Sequence, residues 1–146
     1  MQTNNTKVAV IGAALAGAVA VALATASPAL AFLSGGLHLE AAAQSPATLL
    51  ARGAALDVPV SVDCNATQPV FVNVSVTQRV GSQIATGSGF AQVGCTGGQQ
   101  DIIIHVTANA GKAFAKRDAV ATADISGCNE TTCGSESTTT TIQVNK

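Results

Sequence analysis

The chain has 146 residues, and its 7 Lys and Arg against 8 Asp and Glu leave a net charge of −1. Trp and Tyr are absent. With no basic stripe and no aromatic residues interleaved with cations, the sequence carries no nucleic-acid footprint. The length fits one modest domain behind a leader, small enough for covalent staples to matter.

Residues 1–31 read as a signal peptide. Lys7 and the α-amino group supply a positive start, and Val8 to Ala26 is an uncharged run rich in Ala and Val. Ser27-Pro28 breaks that run, and Ala29-Leu30-Ala31 is the small-x-small pattern of a cleavage site, which puts the mature start at Phe32. The rival is an uncleaved anchor, because the run approaches the ~20 residues that span a bilayer. Its weakly apolar composition and the cleavage pattern favour removal, so no membrane association is expected of the mature chain. Residues 32–46 contain the breakers Gly35-Gly36 and Ser45-Pro46. They are expected to form a flexible lead-in, with room for one short strand or helical turn, before a domain over 47–146.

From there the chain alternates. Thr48 to Arg52 is the first expected strand. Leu56, Val58, Val60, Val62 and Cys64 share one parity against Asp57, Pro59, Ser61 and Asp63, the mark of a half-buried strand. Pro59 cannot donate to a ladder and predicts a bulge or a free edge there. Val70, Val72, Val74 and Val76 alternate with Phe71, Asn73, Ser75 and Thr77. Ile84 to Cys95 reads as a strand or strand pair interrupted at Gly87 and Gly89. Ile102, Ile104, Val106 and Ala108 form the next inward face, and a loop over 109–118 holds Phe114. Ala119 to Ile125 and Thr138 to Val144 complete the set. About seven strands at short spacing, with no helical period, predict an all-β, immunoglobulin-like antiparallel sandwich.

Four cysteines, Cys64, Cys95, Cys128 and Cys133, behind an export signal point to two disulfides. Of three possible pairings the favoured one is Cys64–Cys95 with Cys128–Cys133. The second closes a very short loop and the first joins the ends of two expected strands. Zinc is disfavoured because no C-x-x-C knuckle exists.

Val74-Ser75-Val76-Thr77-Gln78, Ala85-Thr86-Gly87-Ser88-Gly89, Val93-Gly94-Cys95-Thr96-Gly97 and Gly111-Lys112-Ala113-Phe114 together resemble small secreted immunoglobulin-like domains of actinobacteria. The resemblance covers about residues 55–125. It implies a β-sandwich outside the cell and no assigned activity. Such domains often have Pro-Gly after the Phe, where this chain has Lys116-Arg117-Asp118, so that loop is expected to differ.

No nucleophile elbow, metal motif or phosphate loop is present, so neither catalysis nor a cofactor or metal is expected. His105 lies on the outward parity between Ile104 and Val106 and reads as a polar surface residue; His38 lies in the lead-in. Asp57, Asp63, Asp101 and Asp124 read as solubilising carboxylates rather than an acid–base pair. Lys112, Lys116 and Arg117 form a weak candidate binding cluster for anionic cell-wall polymers, with a solvated loop as the plainer reading. Phe114 is either a binding anchor or, the favoured reading, a plug for the open end of the fold. Cys128–Cys133 reads as a structural clip rather than a redox pair.

The function expected is therefore a secreted, non-catalytic binding or structural module whose partner is an unknown protein or cell-envelope component. One alternative is a small-molecule carrier of the neocarzinostatin-apoprotein type, because Cys128 to Cys133 matches the four-residue disulfide gap of those proteins. That reading requires an apolar cleft between the sheets, and a filled core would reject it. The other is a secreted protease inhibitor presenting the Cys128–Cys133 loop.

Overall fold

The computed structural model describes residues 36–146. The expected signal peptide and the proposed cleavage point lie outside the described residues. The alternations become eight strands: β1 (Leu39–Ala43), β2 (Ala47–Leu50), β3 (Ala55–Cys64), β4 (Val70–Val80), β5 (Gln83–Val93), β6 (Gln100–Gly111), β7 (Asp118–Cys128) and β8 (Cys133–Asn145). A single 3-10 turn, Ala51–Gly53, separates β2 from β3. Among the described residues no helix is long and apolar enough to cross a membrane.

The hydrogen-bonded order is β1-β3-β2-β8-β7-β4-β5-β6, and β6 pairs back onto β3. The ladder thus closes on itself as a seven-strand barrel, with β1 added beside the second half of β3. This departs from the two separate sheets expected. A sandwich and a barrel share the same inward/outward alternation. What distinguishes them is pairing at the would-be edges, and here two contacts supply it. β4 pairs with β5 from Val70↔Val93 to Val80↔Gln83, and β2 pairs with β8 in parallel at Ala47↔Val144. Closure leaves fewer strand edges open to a second chain.

The interior suits so narrow a barrel. Leu56, Val58, Val60 and Val62 of β3 meet Val70, Val72, Val74 and Val76 of β4, Ile104 and Val106 of β6, and Ala121, Ala123 and Ile125 of β7, all buried. Few strands enclose little volume, so Val and Ala outnumber larger side chains. The aromatic plug sits at one end, where Phe114 is only 3% exposed. Its ring occupies space that glycine leaves. A Cβ on Gly87 would come within 2.9 Å of the ring, and one on Gly53, at φ +93°, would collide with the Phe114 backbone. The Gly87-Ser88-Gly89 stretch therefore leaves β5 one strand in unbroken register with β4; the register with β6 shifts at Thr86/Gly87, where the missing side chain makes room for Phe114.

The lead-in is corrected in part, since it holds the one short strand allowed for but packs it into the core, and the free edge expected at Pro59 is a gap between two neighbouring strands. Leu39–Ala43, within the expected lead-in, is strand β1, with Leu39, Ala41 and Ala43 buried against the core. Ala at both parities hid its alternation. Pro59 lies where the neighbouring strand breaks: Ala43↔Val60 belongs to β1 and Thr48↔Asp57 to β2, and the intervening Gln44 donates to the Pro59 carbonyl at 2.8 Å. The residue without an N–H thus faces the interruption between β1 and β2.

Both disulfides form as favoured. Cys64–Cys95 bridges Cα atoms 5.4 Å apart and Cys128–Cys133 bridges Cα atoms 4.0 Å apart.

Candidate functional site

The registers place the start of β3, the end of β6, the start of β5, the end of β4, the start of β7 and the end of β8 at one end of the barrel. Every Lys and Arg among the described residues falls there. Arg52 sits on the 3-10 turn and Arg79 near the end of β4; Lys112, Lys116 and Arg117 are in the loop before β7, and Lys146 follows β8. All six are exposed. The ion pairs among the described residues are His38–Asp63 and His105–Asp57, so none of these cations is neutralised by a neighbouring carboxylate. Six of the eight carboxylates, Glu40, Asp63, Asp101, Asp124, Glu130 and Glu136, lie in the opposite half. Asp57 and Asp118 alone share the cationic half.

The loop bearing three of the cations is held from below by one buried polar residue. Gln78, 1% exposed, continues the inward parity of Val70 to Val76. Its Nε2 donates to the carbonyls of Ala115 at 2.8 Å and Arg117 at 3.0 Å, and its Oε1 accepts from the Ala115 N–H at 2.7 Å. The Arg117 carbonyl also accepts from the Val144 N–H at 3.1 Å, which ties the loop to β8. Arg117 donates through Nη1 to the Arg79 carbonyl at 3.1 Å, and Phe114 N–H donates to the Gly53 carbonyl at 2.9 Å. The cations thus stand on a backbone fixed at several points rather than on a free loop.

The candidates named from the sequence separate cleanly. Lys112, Lys116 and Arg117 are exposed and belong to this end; Phe114 is buried beneath them and acts as the plug, not as a contact. Arg52, Arg79 and Lys146 were missed. They are far apart in sequence, and only the alternation of strand ends brings them together. His105 faces outward on β6 opposite Asp57 on β3, with Nδ1 2.9 Å from the carboxylate. The pair is exposed, so replacing Asp57 with Asn is expected to change stability by under about 1 kcal/mol in a urea titration. None of Asp57, Asp63, Asp101 and Asp124 is a register partner of another. No group of three or more His, Cys, Asp or Glu among the described residues is placed to hold a metal ion.

The Cys128–Cys133 loop folds in on itself. Asn129 Oδ1 accepts from the backbone N–H groups of Thr131 at 3.0 Å and Thr132 at 2.8 Å, and Asn129 N–H donates to the Thr132 carbonyl at 2.8 Å. The turn presents no extended segment.

Fold and site together define a disulfide-closed all-β barrel with its cations gathered at one end. No protein-family model matches the chain, and no curated protein matches it. Among solved structures it is similar to AggA, the major subunit of aggregative adherence fimbriae type I from Escherichia coli. The TM-score is 0.40 with 11% identity, over 77% of this chain and 97% of that one.

Proposed function

We propose that this chain is a secreted, non-catalytic binding module of the cell exterior whose cationic barrel end seats an anionic polymer of the cell envelope. The observation that carries this reading is the collection of all six described Lys and Arg residues at one end, with no carboxylate paired to any of them. Exposed cations on a fixed backbone attract a polyanion without first breaking internal ion pairs. Two disulfides and no free cysteine suit an oxidising compartment. The immunoglobulin-like description has support in strand neighbours: β1/β2-β3-β6-β5 and β4-β7-β8 follow the ABED and CFG order, joined here at β4–β5 and β2–β8.

The alternatives fare less well. A carrier of the neocarzinostatin type needs a cleft between the sheets, whereas the inward positions are filled by Leu56, Val58, Val74, Ile104 and Ile125. A protease inhibitor needs an extended loop, and the Asn129 hydrogen bonds curl the candidate one.

The test is binding to long-chain polyphosphate at two salt concentrations. Each cation near an anionic surface contributes up to about 1 kcal/mol at low salt. The variant Lys112→Ala, Lys116→Ala, Lys146→Ala is therefore expected to bind on the order of tenfold or more weakly, and raising salt to shrink the difference. Equal binding by the triple variant and the parent protein would remove the cationic end as the site.

A further inference from the structure

A second surface lies on the outer face of β5, β4, β7 and β8, away from the cationic end. Its residues form rows across the strands. Phe90, Asn73, Asp124 and Ser137 are register partners in one row, and Gln92, Phe71, Ser126 and Ser135 in the next. Phe71 and Phe90 are therefore diagonal neighbours, within reach of each other for aromatic side chains. Phe71 is 56% exposed and Phe90 82% exposed, although the same barrel buries Phe114. The two rings and Asp124 bound a broad concavity of about 1060 Å³ floored by Asn73. With strands about 4.8 Å apart, Phe90 and Asp124 stand roughly 10 Å from each other across Asn73.

The charge of this face points to what would fill it. The Asp124 carboxylate has no hydrogen bond and no ion pair among the described residues. Glu136 lies at the rim, and no Lys or Arg lines the concavity. Two π-faces beside an unpaired carboxylate suit a cation that carries an apolar body, through cation–π attraction and direct charge pairing together. The concavity is at the upper end of the size of small-molecule sites, about 300–1,000 Å³. Two rings among Ser, Thr and Asn do not supply the contiguous apolar centre of a protein interface, which covers roughly 800 Å² per partner.

We infer that this face is a binding site for a small organic ammonium ligand, its cation at Asp124 and its apolar body across Phe71 and Phe90. The site is independent of the cationic end and of opposite charge preference.

Because the protein lacks Trp and Tyr, amide NMR shifts are the practical readout. The probes are 4-phenylbutyl-trimethylammonium, its uncharged carbon isostere and 4-phenylbutyrate. The ammonium probe is expected to give saturable shifts centred on Phe71, Asn73, Phe90 and Asp124, and to bind about tenfold more tightly than the isostere. Asp124→Asn should abolish that preference while the isostere's affinity is kept. Phe90→Ser should weaken both probes, and the triple lysine variant should change neither. All these positions face outward, so the amide spectrum verifies that each variant keeps its fold. Equal affinity for the ammonium probe and its isostere, or a preference that survives Asp124→Asn, overturns the proposal. So do shifts that map elsewhere. Concentration-dependent shifts at these residues without any probe would instead make a second copy of the chain the occupant, and would equally overturn it.

Discussion

Replacing Gln78 with Leu is expected to destabilise the barrel by about 3 kcal/mol. The side chain is buried, and its amide satisfies the Ala115 N–H and the carbonyls of Ala115 and Arg117. Leu fills similar volume but leaves the Ala115 N–H and carbonyl without their partner, while the Arg117 carbonyl keeps the Val144 N–H, and each unsatisfied buried group costs about 1–3 kcal/mol. Partial rehydration at the barrel end keeps the total near the lower part of that sum. A far-UV circular dichroism melt should show a drop in Tm on the order of 10 °C. The same change should loosen the loop that carries Lys112, Lys116 and Arg117, and so weaken polyanion binding without removing a cation.

Gln78→Glu makes a sharper version of the test. A carboxylate there would face the Ala115 and Arg117 carbonyls in a buried site, and both burial and carbonyl dipoles disfavour its charge. Its pKa in the folded protein is therefore raised above the unfolded value of about 4.3. The folded state then holds the proton more tightly, so stability is greatest below the unfolded pKa and falls as pH rises through the folded pKa. Urea midpoints for this variant should decline from acid toward neutral pH relative to the parent. A flat difference would show that Gln78 is not the donor to those carbonyls.

The second large effect belongs to the disulfides, and it is unequal. Cys64–Cys95 closes a separation of 31 residues and Cys128–Cys133 one of 5. On the chain-entropy account, the longer loop restrains the unfolded chain by about 3.5 kcal/mol and the shorter by about 2 kcal/mol. Paired replacement of Cys64 and Cys95 by Ala should therefore cost more than paired replacement of Cys128 and Cys133. Loss of both approaches the lower end of the ~5–15 kcal/mol that holds small domains together. Urea titrations of the two paired variants decide it. Equal losses would mean that the bridges act through the folded state, not through loop closure.

Much of the fold was legible because its signals are local. The valine alternation at Val70 to Val76 marks β4, and the run from Leu56 to Cys64 marks β3, since successive side chains on a strand point to opposite faces whatever the strand pairs with. The plug at Phe114 was legible as a lone aromatic in a loop of small residues. The outward Phe71 was also visible, standing on the polar parity of β4, but nothing local linked it to Phe90 on β5. β1 was hidden because Leu39 to Ala43 is apolar at nearly every position.

The sequence by itself determined the all-β class, most of the strands, the inward residues and the disulfide pairing favoured among three. Each follows from periodicity or from cysteine spacing. Only the tertiary structure decided that the ladder closes into a ring, because closure depends on β2 meeting β8, segments far apart in the chain, and on β4 staying paired with β5 along its whole length. It alone decided the charge layout as well. Arg52, Arg79, Lys112, Lys116, Arg117 and Lys146 look scattered along the sequence, and antiparallel pairing returns each of their segments to the same end of the barrel.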